Sequence, residues 1–306
     1  MADAKAMITE IQQLQVFYTP MTLNTRLPYI EYANQDMLHM IHMFRTEEEG
    51  KKFVDTKKEE GMPLGMIKVD NSEKPAQEGE MSVIMQFYKN MHLLDITHVI
   101  YHAEAGAVLV PLTTIVRINL TMQASNSLPV ENKKLVGLTA RCLQESNLIR
   151  TKSKDEEWVK KFHQIEEDFI MCFTKSQFIF SFSKIDKEED GKTVLDIENT
   201  IRHPILIQKQ VRTPQGEEKQ QVFEPIFSDI NEAQIFFGNN PNVVLFPIPY
   251  EKMQSGLSPN LGGYLLNPAN MNFIITAQQM KAWTEIADRK KRENASKGLL
   301  LGDDNV

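Results

Sequence analysis

The sequence has no long apolar run. No stretch approaches the roughly twenty consecutive apolar residues that a membrane-spanning helix requires. The N-terminus does not combine a basic segment with an apolar core, so no signal peptide is expected. Only two of the 306 residues are cysteine, Cys142 and Cys172, and no Cys-x-x-Cys pair occurs. Such cysteines are typical of reduced thiols in a cytosolic protein. These absences together predict a cytoplasmic protein without a membrane partner.

Several motifs of enzymes and metal sites are also missing. No serine lies in a Gly-x-Ser-x-Gly setting, and no glycine-rich loop follows a strand to hold a phosphate. On a strand, His39 and His42 face opposite sides, while His98 and His102 share a side but lie far apart, which disfavours a shared metal ion. We therefore expect no catalytic set, no cofactor and no metal.

The charge balance is acidic rather than basic. Lys and Arg number 34 against 41 Asp and Glu, which gives a formal net charge of −7. That excess disfavours a protein whose main task is neutralising nucleic-acid phosphates, so no nucleic acid is expected as a partner. A basic run at Arg289–Arg292 is interpreted as a solvated helix end, where cations are favourable.

An internal repeat is the most informative feature present. Phe44–Val110 and Phe227–Ile275 follow the same pattern of apolar runs and polar caps. Each copy opens with a phenylalanine, followed by a polar cap and, three residues later, a glutamate: Thr46 and Glu49 in the first copy, Asp229 and Glu232 in the second. This spacing predicts a helix start, because the cap side chain accepts from the first backbone amides.

Both copies end in two short apolar runs around a turn, which aligns Val99–His102 with Tyr264–Asn267 without a gap. Hairpins require antiparallel pairs, so the fold is predicted to be α+β, with two related units that each combine a mixed or antiparallel sheet with packed helices. The predicted boundaries are 1–122 for the first unit, 123–129 for a linker, 130–286 for the second unit and 287–306 for a polar tail.

Hydrophobic periodicity adds individual elements. A helix is predicted over residues 1–18, and residues 19–35 are predicted to be irregular because of Pro20 and Pro28. The remaining main predictions are strands at 37–44, 64–69 and 177–185, helices at 46–60, 81–90, 131–145 and 155–172, and a hairpin from 99 to 111.

The second copy resembles the SseB-like, or enhanced serine sensitivity, family. The stretch Glu224–Asp229 is similar to that family's Pro-hydrophobic-Phe-Ser/Thr signature, and Gly263–Pro268 is similar to its hydrophobic-Asn-Pro turn. The resemblance spans about residues 130–286, and the first copy is a diverged version of it over 37–117. It implies a bacterial cytosolic protein and brings no established catalytic residue.

Three sets of residues are candidates for binding, and one of them is His98 with His102. Twelve of the 16 methionines lie within the first 122 residues, and Met81, Met85 and Met91 could form an adaptable interaction face or simply part of a core. Asn267-Pro268 is typical of a structural turn, with a binding surface as the alternative.

These observations favour a non-enzymatic protein-interaction or scaffold protein with an unknown protein partner. Self-association through hairpin edges is compatible with that function. The alternative is an enzyme acting on a small molecule at a cleft near the first hairpin, carried by Asp95, His98, His102 and Glu104.

Overall fold

The computed structural model describes residues 4–33, 38–72, 81–104, 106–116, 130–183, 187–189, 192–194, 203–212 and 216–296. The chain divides into two compact units, one formed by Met1–Ser125 with Lys133–Glu166 and the other by Asn126–Asn132 with Glu167–Val306. The two helices that open the second copy in the sequence prediction thus group mainly with the first unit. The predicted linker at 123–129 and the end of the predicted tail, 297–306, lie outside the described residues.

The first unit is built on a mixed sheet. Its described elements are α1 (Ala4–Gln13), β1 (Val16–Thr22), β2 (Ile30–Ala33), β3 (Leu38–Phe44), α2 (Glu47–Glu59), β4 (Leu64–Asp70), α3 (Val83–Leu93), β5 (His98–Ala103), β6 (Gly106–Pro111), α4 (Leu112–Ile115), α5 (Lys133–Ser146), α6 (Ile149–Lys152) and the first part of α7 (Glu156–Phe173). The strand order is β4-β1-β3-β5-β6, with β2 beside β3. β3 and β5 are parallel, and the other neighbours are antiparallel.

The second unit repeats this plan. Its described elements after α7 are β7 (Gln177–Ser183), β8 (Lys187–Glu189), β9 (Lys192–Val194), β10 (His203–Pro204), β11 (Ile207–Arg212), β12 (Glu218–Phe227), α8 (Ile230–Phe237), β13 (Val243–Pro249), α9 (Tyr250–Gly256), β14 (Gly263–Leu266), β15 (Phe273–Ile275) and α10 (Ala277–Ser296). The strand order is β10-β7-β12-β14-β15, with β13 on β7 and β11 on β12, while β8 and β9 form a separate ribbon.

The two units share one topology. In the first, β3-α2-β4-α3-β5-β6 leads from the central strand to the edge hairpin, and β12-α8-β13-α9-β14-β15 does the same in the second. In both, the central strand is parallel to the first strand of that hairpin. The predicted α+β fold class with two related sheet-and-helix units is therefore confirmed.

The predicted helix caps are also confirmed. The Thr46 side chain accepts from the backbone N–H of Glu49 at the start of α2. At the start of α8, the Asp229 carboxylate accepts from the N–H groups of Asn231 and Glu232. Each bond satisfies amides that a helix N-terminus leaves without an intrahelical partner.

The predictions for residues 1–35 were wrong in part. The helix ends at Gln13, and β1 and β2 occupy much of the stretch predicted to be irregular. Side chains alternate along β1, and those of Phe17 and Thr19, which point to the interior, are fully buried. Thr19 is polar, and it is satisfied inside because its hydroxyl donates to the carbonyl of His42 at 2.7 Å. A buried threonine in place of an apolar residue hides the strand signal from a hydrophobicity pattern.

Each sheet carries a core with aromatic members. Phe17, Ile41 and Tyr101 are fully buried in the first unit, and Phe178 and Phe227 in the second. Within the described part of the chain, no helix has the length and apolar character needed to cross a bilayer.

Candidate functional site

The most exposed apolar feature of the first sheet is its edge strand β6. It pairs with β5 along its whole length, from His98↔Pro111 to Ala103↔Gly106. Among the described residues, no strand pairs with its other side. Because backbone groups alternate along an antiparallel strand, every second residue of β6 directs its N–H and C=O away from β5. This free side of β6 is called the β6 edge below.

The β6 edge differs from the edge strands β4, β13 and β15. β13 carries Pro247 and Pro249, which have no N–H to offer to an added strand. β4 presents the exposed Lys68, and β15 is only three residues long. These are features that discourage strand addition. β6 has no charged residue, and its single proline is the last residue, Pro111.

The sheet face beside the β6 edge is partly open. Side-chain alternation places Ala107 and Leu109 on the same side as His98, Ile100 and His102 of β5. Leu109 is 46% exposed, Ala107 is exposed, and the three β5 side chains are partly exposed. An added strand would therefore find apolar side chains as well as unpaired backbone groups.

A hydrogen-bonded histidine pair lies on this same face. His42 Nε2 is 2.6 Å from Glu31 Oε2, and His42 Nδ1 is 2.9 Å from His102 Nε2. The His102 ring stacks on Phe44 with centroids 4.1 Å apart, and His42 packs on Phe53 at 4.3 Å. His42 is buried, and His102 is the outer member of the pair.

The surroundings of this pair shift the pKa values of Glu31 and His102. The hydrogen bond from His42 lowers the pKa of Glu31. Burial, with a further contribution from the charge of His42, lowers the pKa of His102 to about 4. Glu31 accepts from His42 Nε2–H, and one of His42 Nδ1 and His102 Nε2 donates to the other, in a direction that the tautomers determine. The arrangement orders two imidazoles, and its named members include no serine, threonine or cysteine.

A second cluster occupies the opposite face of the first sheet. His39 Nδ1 lies 2.9 Å from the carbonyl of Asp95 and 3.2 Å from its carboxylate. The Tyr32 ring packs on His39 with centroids 4.3 Å apart, and the guanidinium of Arg141 lies 3.3 Å from the centre of the Tyr32 ring. Asp95 holds a left-handed backbone with φ of 59°, a conformation that is strained for a residue other than glycine.

The Asn267 turn is used internally. Asn267 is fully buried with φ of 47°. Its Oδ1 accepts from the backbone N–H of Ser228 at 3.0 Å, and its Nδ2 donates to the Ser228 hydroxyl at 2.9 Å. The neighbouring Pro268 is partly exposed. The Asn267 side chain therefore joins the end of β14 to the end of β12 and is not accessible to a ligand.

The three methionine candidates lie at or near α3 in different environments. Met81 is 52% exposed and precedes the helix, Met85 is half-buried, and Met91 is buried at 2% exposure. Met91 is thus a core residue, and only Met81 and Met85 reach the surface.

The four residues of the enzyme hypothesis have separate partners. Asp95 binds His39, His98 lies 2.9 Å from the Thr97 hydroxyl, and His102 binds His42. Glu104, whose side chain is 91% exposed, is 4.0 Å from Arg45. The structure does not bring these four side chains into one cluster. Among the residues described, no group of three or more His, Cys, Asp and Glu is arranged to hold a metal ion.

Comparisons with known proteins add little. No protein-family model and no curated protein matches this chain. A solved structure titled "Anabaena Tic22 (protein transport)" is similar over 84% of this chain and 88% of that chain, at 10% sequence identity and a TM-score of 0.19. A TM-score this low supports no conclusion about fold or function. The resemblance to the SseB-like family stays a prediction.

Proposed function

We propose that the protein is a non-enzymatic protein-interaction module that binds an extended segment of a partner protein by strand addition at the β6 edge. One observation carries the proposal: β6 is an apolar, uncharged edge strand with a partly open face beside it. An extended segment placed there gains main-chain hydrogen bonds from the unpaired side of β6, and the side chains along it determine specificity.

The residues of the β6 edge determine which kind of segment it would bind. Ala107 and Leu109 offer an apolar face without a charge, so every second side chain of the added segment should be apolar. Pro111 cannot donate a hydrogen bond, which limits the added strand at that end. Burial of Leu109, now 46% exposed, contributes to affinity through the hydrophobic effect.

The enzyme hypothesis is supported less well, because its residues have separate partners. A bacterial cytosolic location belongs to the same proposal, through the SseB-like resemblance.

The decisive test compares two leucines of nearly equal exposure. Leu109 is 46% exposed on β6, and Leu206, in the second unit, is 47% exposed. Tagged wild-type protein, Leu109→Lys and Leu206→Lys are used to capture partners from the host cytosol, and a partner found by mass spectrometry is purified and titrated. A lysine on an edge strand opposes strand addition, so Leu109→Lys should weaken binding at least about tenfold, or 1.4 kcal/mol.

Leu206→Lys should bind the partner as the wild type does. Equal binding by both lysine variants would contradict a site at the β6 edge. A Met85→Glu variant tests the methionine surface in the same experiment. If Met85→Glu loses binding while Leu109→Lys binds as the wild type does, the result favours a binding site at α3 instead. Light scattering of the purified protein shows whether the partner is a second copy of the chain.

A further inference from the structure

Arg141 is a buried cation for which the described part of the chain supplies no paired anion. The residue is 7% exposed, and no described carboxylate lies within ion-pair distance of it. Within the described ranges, its Nε–H has no hydrogen-bond partner. Burial lowers the pKa of the guanidinium, so the nearby charge of Glu145 does not offset the loss of water. Buried charges in proteins are normally paired, which makes this arrangement unfavourable unless a partner binds.

Two carboxylates act on this pair of side chains, Glu145 on Arg141 and Asp95 on Tyr32, and both have other partners. Glu145 Oε2 accepts from the indole N–H of Trp158 at 3.0 Å. Asp95 Oδ2 lies 3.2 Å from His39 Nδ1. Within the described part of the chain, neither carboxylate forms an ion pair with Arg141.

A second donor lies beside the guanidinium. Among the described residues, no group accepts a hydrogen bond from the buried hydroxyl of Tyr32. Arg141 lies over the face of the Tyr32 ring, 3.3 Å from its centre. That contact is a cation–π interaction, which holds the guanidinium in place. Where the guanidinium also interacts with the Tyr32 hydroxyl, the Tyr32 oxygen accepts, so its O–H is still available as a donor. The hydroxyl sits on the rim of the same ring, so it is close to the guanidinium nitrogens.

We infer that Arg141 and the Tyr32 hydroxyl form a binding site for an oxyanion, a carboxylate or a phosphate group of a small ligand. Both groups donate, and a guanidinium matches the paired oxygens of these anions. A neutral acceptor would satisfy the hydrogen bonds but not the buried charge. The packing of His39 on Tyr32, 4.3 Å between ring centres, fixes the ring that carries the hydroxyl. This site is independent of the β6 edge.

The test titrates the full chain with sodium phosphate in one arm and sodium succinate in the other. Sodium chloride at equal ionic strength serves as the reference. A ligand present at a hundred times its Kd should raise the melting temperature by roughly 5 °C. In ¹⁵N spectra, the Nε–Hε resonance of Arg141, assigned with an Arg141→Lys variant, should move along the same saturation curve. A response to phosphate alone or to succinate alone identifies the anion class.

Three variants decide the outcome. Arg141→Met should abolish the saturable response, and Tyr32→Phe, which keeps the ring and removes the hydroxyl, should weaken binding about tenfold. Arg289→Met removes an arginine whose side chain is 60% exposed and should respond as the wild type does. If neither salt gives a saturable response in the wild type, or if Tyr32→Phe binds as well as the wild type, the inference fails. The Tyr32→Phe comparison and the Nε–Hε shift decide the question even if Arg141→Met does not fold.

Discussion

His102 and Asn267 occupy the same position in the two units. His102 lies opposite Phe44 in the parallel β3–β5 ladder. In the second unit, Ile226 is opposite Leu266, which brings Asn267 next to Phe227 at the end of β12. One position has thus become a buried turn residue in one unit and a partly exposed histidine in the other. The strand geometry common to both units tolerates either residue, because each satisfies its polar atoms differently.

The Asn267 turn should matter for stability. Asn267→Ala removes the hydrogen bonds to the Ser228 backbone and hydroxyl and leaves a buried N–H without a partner. We expect a loss of about 2–3 kcal/mol in the free energy of unfolding. Denaturant titration followed by circular dichroism measures the change.

Asn272→Ala is the matched control, since Asn272 also has a positive φ, 52°, but is exposed. It shares the backbone strain without the buried hydrogen bonds, so its loss should be about 1 kcal/mol. Equal losses in the two variants would mean that backbone conformation, and not hydrogen bonding, explains the asparagine.

His102 should make the first unit sensitive to acid. Its pKa is lowered to about 4 from 6.5, so between these values the unfolded chain binds a proton that the folded chain excludes. The contribution of neutral His102 to the free energy of unfolding is therefore complete above about pH 6.5 and is lost as the pH falls toward 4. Because the ring is partly exposed, we expect a change of only roughly 1 kcal/mol.

Urea unfolding of the wild type and His102→Phe between pH 4 and 7.5 measures this effect, and the variant should show a smaller loss of stability on acidification. His163, whose side chain is 67% exposed, serves as the control through His163→Phe. Identical pH profiles for the wild type and His102→Phe would contradict the prediction.

Glu232 should make the protein less stable as the pH rises, which is opposite to the effect of His102. Burial raises its pKa to about 7, although Asn270 Nδ2 donates to both carboxylate oxygens at 2.9 and 3.0 Å. The folded chain keeps a proton that the unfolded chain releases near pH 4.5, so stability is highest below that pH and falls as the pH rises through 7. We expect a difference of roughly 2 kcal/mol.

Glu232→Gln keeps the shape and cannot ionise, so its unfolding free energy should vary less between pH 4.5 and 8 and exceed that of the wild type at pH 8. Glu251→Gln, at an exposed position of α9, should leave the profile unchanged. A Glu232→Gln variant that loses stability with rising pH as steeply as the wild type would assign the dependence to another group, such as Glu224, whose pKa burial also raises to about 7.

Elements whose signals are local were predictable. The caps at Thr46 and Asp229 and the hairpin from 99 to 111 depend on neighbours within a few residues, and the structure contains all three. β1 was missed because its interior includes Thr19, whose hydroxyl is satisfied by a carbonyl 23 residues away. No pattern confined to residues 16–22 carries that information.

The candidate sites depended on contacts between distant segments. His42 and His102 are separated by 60 residues and meet because β3 and β5 are parallel neighbours. Side-chain alternation along a single strand relates His98 to His102, but it does not relate His102 to His42 on another strand. The contact depends on the parallel pairing of β3 with β5, which was not predicted from the sequence.

The sequence by itself determined the duplicated α+β plan, because periodicity, caps and turns are local properties of the chain. Only the tertiary structure decided which groups remain without a partner. In the part of the chain that the structure describes, the free side of β6 and the unsatisfied Arg141 Nε–H and Tyr32 hydroxyl are defined by which groups the other segments cover. Burial and hydrogen-bond satisfaction are properties of the packed chain, and they have no counterpart in the order of residues.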